Sequence, residues 1–182
     1  MRTTPAAVAG TVTAAFVAAL TLTACSGGES DGSDAKSPAD DKPAACEAGK
    51  FAIDFGPGNP APAVGDTGNI PVTLTNNGTA CVLRGVPATK VFAGSTSWAV
   101  GAEESSQAQK LTLAEGAAAT FTITYVRGAA GDPAKGAEVD TVKFTLPGDS
   151  AEQSYEWPDA EIAVKSEKEL DITVSPILPS GD

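Results

Sequence analysis

Ile70, Val72 and Leu74 alternate with Thr73 and Thr75, the two-residue period of a strand that buries one face. Asn76-Asn77-Gly78 follows, and Asn and Gly tolerate positive φ at little cost. A short apolar run, Cys81-Val82-Leu83, then precedes Gly85 and Pro87, which break pairing again. The stretch predicts a β-hairpin with a cysteine in its returning strand. Similar runs recur at 50–55, 89–92, 97–100, 109–113, 119–126, 142–146, 154–157, 161–164 and 170–174. No window of helical length carries a sustained apolar stripe at i, i+3 and i+4. About eight or nine strands in one domain point to an all-β fold of two packed antiparallel sheets. Trp98 lies after Cys81 and not between the later cysteines, so the expectation is an immunoglobulin-like β-sandwich and not a true immunoglobulin domain. Residues 127–138, rich in Gly, Ala and Pro, read as a mobile loop.

The pattern Asn76-x-Gly78-x-x-Cys81-x-Leu83-x-Gly85-x-Pro87 resembles the signature of a domain of unknown function that recurs on exported lipoproteins of actinobacteria. Leu111-Thr112-Leu113, then Gly116 and Ala119-Thr120-Phe121-Thr122-Ile123, is similar to that family's second segment. Glu115 stands where the family usually has proline, and Val86 where an aromatic is common. The resemblance spans residues 46–177. It implies a β-sandwich at the cell surface and no established activity.

At the amino end, Arg2 is the one charge before an apolar, Ala-rich run over residues 6–22. That run closes on Leu22-Thr23-Ala24-Cys25, the order of a lipobox: a branched apolar residue, a small residue, Ala or Gly, then the cysteine. The cysteine thiol accepts a diacylglyceryl group and becomes the new amino terminus. Residues 1–24 are therefore expected to be a lipoprotein signal peptide, and Cys25 the lipid anchor. Two acyl chains suffice for stable anchoring where one is marginal. Residues 25–45 lack any large apolar side chain beyond the anchor, and such composition cannot offset its own ordering entropy. A tether of this kind spans roughly 25 Å end to end. Asp31, Asp34, Asp40 and Asp41 lack the ligand order of a calcium loop and read as solvated charge. Residues 46–182 are then one domain.

Aromatics make up only 5% of the chain, so a sparse core invites a covalent clamp. With Cys25 committed to lipid, an oxidising compartment leaves Cys46 and Cys81 to pair. On chain-entropy grounds such a closure contributes roughly 4 kcal/mol at most. Without Arg2 the exported portion holds 11 basic against 23 acidic side chains, a net charge of −12. Nucleic acid and anionic wall polymer are poor partners for it.

The chain has no histidine, which closes the Ser-His and Cys-His nucleophile routes and removes any imidazole base. With no mature methionine either, a copper site is disfavoured, and no cofactor or metal is expected. A Ser-Lys dyad through Lys110, Lys135 or Lys143 lacks its helical frame. Glu103 with Glu104, or Asp159 with Glu161 on one strand face, is the best that a carboxylate-only envelope hydrolase finds here. The preferred reading is non-enzymatic: a membrane-anchored binding module on the extracytoplasmic face, with an envelope protein or glycan as partner. Trp98, Tyr155 and Trp157 are its candidate aromatic binding face, set against simple core packing.

Overall fold

The computed structural model describes residues 43–104 and 107–180. The leader, Cys25, the four linker aspartates and the tether up to residue 42 lie outside the described residues. Within the described residues the chain is a β-sandwich without α-helix. The larger sheet runs β2 (Phe51–Phe55), β3 (Thr67–Asn76), β9 (Ala118–Val126), β15 (Ile172–Val174) and β7 (Gly101–Ala102), with β16 (Leu178–Pro179) also paired on β9. A four-stranded sheet runs β12 (Glu152–Glu156), β11 (Thr141–Thr145), β5 (Ala88–Ala93) and β6 (Thr96–Ala99). Two smaller sheets are β1 (Ala44–Ala45) with β4 (Cys81–Arg84) and β8 (Lys110–Leu113), and β10 (Gly136–Ala137) with β13 (Ile162–Ser166) and β14 (Glu169–Leu170). Pairing is antiparallel apart from β1 on β4 and β15 on β7. The strands of three residues or more fall on the alternating runs of the sequence. The two-residue strands carry no such signal.

The core lies between the two largest sheets. Ile70 and Val72 of β3 stand in register with Ile123 and Phe121 of β9, and all four are buried. Phe121 meets Phe144 of β11 edge-on at 5.2 Å between ring centroids, and Phe55 of β2 meets Tyr155 of β12 at 4.6 Å. Burying each such side chain contributes about 1.5–3 kcal/mol. Pro71 sits inside β3, a place where a missing N–H normally breaks a ladder. Its carbonyl accepts from Gly56 just beyond the end of β2, so its donorless nitrogen faces the side where that neighbouring strand has stopped.

The predicted hairpin over 70–83 is not formed. β3 pairs with β2 and β9, whereas β4 pairs with β1 and β8, so the turn after Asn76 carries the chain from one sheet to another. The Glu115-Gly116 turn does the same between β8 and β9, and the two arches lie side by side. Asn76 stitches them together. Its side chain is fully buried, and its amide nitrogen lies 3.1 Å from each of the Thr79, Leu113 and Ala114 carbonyls. Its Oδ1 accepts from the Gly78 N–H at 3.0 Å. Backbone N–H groups would meet such carbonyls in a hairpin ladder; here one side chain donates to all three and accepts from the Gly78 N–H. β4 also stops short of β5: Gly85 at φ 135° and Pro87 break the trace, which passes from the three-stranded to the four-stranded sheet. This is why more than two hydrogen-bonded sheets make up the sandwich.

Two further expectations change. Ala44 and Ala45, assigned to the tether by composition, form a strand against Cys81 and Val82, and the Cys46 N–H donates to the Val82 carbonyl at 3.0 Å. The segment 127–138 is packed at Gly128 and over Gly136–Ala137, with residues 133–135 exposed between them. Gly128 and Gly136 are buried, β10 pairs with β13, and the Gly128 N–H donates to the Glu161 carbonyl at 2.7 Å. The glycines here serve close approach. A Cβ on Gly128 would stand 2.6 Å from Gly136 Cα and 2.8 Å from the Ile162 carbonyl oxygen, both backbone atoms. Gly128→Ala is therefore expected to cost about 1–3 kcal/mol by overpacking. Urea denaturation checks it, and an unchanged midpoint would refute the close packing of this segment.

Asp149 ties the amino end down. Its carboxylate accepts from the Ala48 N–H at the start of a 3-10 turn over Ala48–Lys50, and again from Ala151 and Ser150. The Ala48 bond is the main reason its carboxyl lies below the ordinary value of 3.8, with partial burial opposing it. A depressed folded pKa adds stability above the unfolded value and loses it as pH falls through the folded one. Thermal midpoints of the wild type should thus fall more steeply below about pH 4 than those of Asp149→Asn. Parallel curves would show that the Ala48 bond is not made to the ionised carboxylate.

Candidate ligand cleft

The four-stranded sheet ends at β6, which is paired on one side only, to β5. The β5–β6 turn is fixed by the Gly94 N–H, which donates to Asp140 Oδ2 at 2.8 Å. That bond, then one from Thr141, holds the Asp140 carboxyl below its usual range. Trp98 stands opposite Val91 and so faces the inner side of the sandwich, at the rim where the sheet stops. It is half-buried, and its indole N–H donates to the Glu167 carbonyl at 3.4 Å. Beside the ring opens a cleft of about 510 Å³. Its far wall is the 131–138 segment together with β13.

Ala93, Ala137 and Val164 supply apolar surface to the cleft. Asp132, Glu138, Glu161 and Glu167 line it as well, and no lysine or arginine does. Lys135 is drawn to Asp132 at 3.2 Å, and Lys165 to Asp171 at 3.1 Å and Glu169 at 3.9 Å. An organic cation over an indole face gains about 0.5–2 kcal/mol, and more carboxylates nearby add to it. Among the described residues no group of three or more acidic or cysteine side chains converges as a metal site.

The three aromatics singled out in the sequence are not brought to one face. Trp157 is 6% exposed, donates to the Ala160 carbonyl at 3.0 Å and meets Tyr125 edge-on at 5.4 Å. Tyr155 is stacked on Phe144 at 5.9 Å and packs on Phe55, inside the sandwich edge, where burial raises its hydroxyl pKa. Of the three, Trp98 lines the cleft described above. Collisional quenching should accordingly reach one tryptophan of the two, and Trp98→Phe should leave blue, protected emission. Full quenching in that variant would contradict the burial of Trp157.

Asp159 and Glu161 do not share a strand face either, since β13 begins only at Ile162. Asp159 caps the Ala160 N–H at 2.8 Å and takes the Tyr125 hydroxyl, while Glu161 belongs to the Trp98 cleft. Burial first, then the Asp159 bond, pushes Tyr125 up to about 12, against the Ala61 N–H and Arg127. Glu103 and Glu104 line a separate hollow with Lys165 and Glu169. Lys143 is held by Glu152 at 3.1 Å and lies over the Phe92 ring at 4.9 Å. Cys46 and Cys81 form the expected disulfide, with Cα atoms 5.0 Å apart. The cleft itself escapes sequence reasoning because its carboxylates are far apart in the chain and its wall is aperiodic.

Residues 46–177 match one family model, described as a domain of unknown function (DUF4232). No curated protein and no solved structure matches the chain.

Proposed function

Because the chain belongs to this family of domains of unknown function, whose description assigns no activity, we propose a role from its residues: a membrane-anchored, extracytoplasmic lipoprotein that serves as a non-catalytic binding module of the cell envelope. The observation that carries the binding role is the half-open cleft at Trp98, with apolar walls and an acidic lining. Export is supported by the Cys46–Cys81 disulfide, a bond that persists in oxidising compartments and leaves Cys25, in its lipobox, for the lipid. Anchoring at Cys25 places the domain on the outer face of the membrane. The chain has no histidine to serve as an imidazole base, and Asp159 and Glu161, the carboxylate pair read from the sequence, line different hollows. The partner is an envelope protein or glycan; the charge of −12 disfavours nucleic acid.

Crosslinking in intact cells, followed by mass spectrometry of the purified chain, tests this. The expected result is a diacylated amino-terminal Cys25 and one recurrent envelope partner. A free thiol at residue 25 overturns the anchor, and recovery of no specific partner overturns the binding role.

A further inference from the structure

We propose that the Trp98 cleft is a subsite for a lysine or arginine side chain presented by a partner polypeptide. This deepens the binding role above and rests on it. The chemistry of the walls argues for such a side chain in particular. Lysine and arginine carry a long apolar stem and a charged head. Ala137 and Val164 offer apolar surface to the stem, the Trp98 face suits the head, and Glu138, Glu161 and Glu167 line the same cleft with opposite charge. None of the lining residues is cationic, so that charge has no counterpart within the cleft. The lysine nearest in sequence, Lys135, is engaged by Asp132.

A small metal ion is a poorer occupant, because the carboxylates do not converge into a cluster of three among the described residues. A sugar ring would use the indole but not the negative charges of Glu138, Glu161 and Glu167. The volume of about 510 Å³ admits a side chain with part of its backbone. The walls are also pre-set: Gly94 is bonded to Asp140 on one side, and Gly128 to the Glu161 carbonyl on the other. Little ordering is left to do when the ligand enters.

The test uses the full chain and short capped peptides, Gly-Gly-Arg-Gly-Gly and its glutamate counterpart, with tryptophan emission as the readout. Trp157 is buried, so the change reports Trp98. The expected result is a saturable change with the arginine peptide, absent with the glutamate peptide and weakened by salt. Trp98→Leu should weaken binding about fivefold. Should that variant fold poorly, the double variant Glu161→Gln with Glu167→Gln takes its place, since both side chains are solvent-accessible. Equal response to both peptides, indifference of the Gln variant, or a salt-independent response to a neutral wall disaccharide each overturns the proposal.

Intact-cell crosslinking with the Gln variant separates the two levels. Loss of the partner supports the subsite. A partner still captured sinks the subsite and leaves the binding module standing. No partner captured by the wild type sinks the module, whatever the peptides do.

Discussion

Asn76→Asp should destabilise the domain by about 3–5 kcal/mol, the range for a buried charge without compensation. The two side chains are nearly isosteric, so the effect is electrostatic. Asn76 is fully buried, and its amide protons are shared among the Thr79, Leu113 and Ala114 carbonyls. A carboxylate there presents negative oxygen to three carbonyl oxygens and retains only the Gly78 N–H as a donor. Its pKa must rise in the folded state, so the deficit should shrink as pH falls toward that raised value. Asn76→Ala should cost less, about 1–3 kcal/mol, for the hydrogen bonds its amide makes, of which the one to the Leu113 carbonyl is buried. Urea denaturation at pH 7 and at pH 5 distinguishes the two variants. If Asn76→Asp lies within 1 kcal/mol of the wild type at pH 7, or shows no recovery at lower pH, the bridging role assigned to this amide is wrong.

Removing the Cys46–Cys81 bond is the second large effect. Alanine at both positions keeps the buried site apolar, which matters because the cysteines are 2% and 8% exposed. The bond spans 35 residues, and its loss should cost about 2–4 kcal/mol, chiefly by freeing the unfolded chain. A local effect should accompany it. β1 is two residues long and rests on β4 beside the disulfide, so the Cys46 N–H bond to Val82 should exchange with solvent faster in the double variant. A loss below about 1 kcal/mol would mean that the unfolded chain keeps these residues close without the bond.

Much of the fold was legible because a half-buried strand has a two-residue period that survives in the sequence. Phe121, Ile123 and Tyr125 alternate with threonines and do face the core. The same period had more to say than the hairpin reading used. Continuing Ile70, Val72, Leu74 by two places reaches Asn76, which puts an amide on the core face at the end of β3, where the arch begins. Pairing partners were not legible, because local turn chemistry at Asn77-Gly78 suits an arch as well as a hairpin. In 127–138, Gly128 and Gly136 suggest freedom by composition, yet they mark backbones in contact; only the three-dimensional neighbour reveals which. Trp98 was legible as a candidate and Asp132 and Glu138 were not, since nothing in chain order links residues that a cleft gathers from three separate stretches, 93–98, 131–138 and 161–167.

The clamp at the amino end also determines how the domain carries load. Tension arriving at residue 43 first meets the two residues of β1, then Cys46, whose sulfur hands it directly to Cys81 in β4. The intervening chain, β2 and β3 included, is bypassed and stays slack. The longest ladder of the sandwich, β3 on β9, is therefore shielded from a pull at that end until β4 is torn from β8.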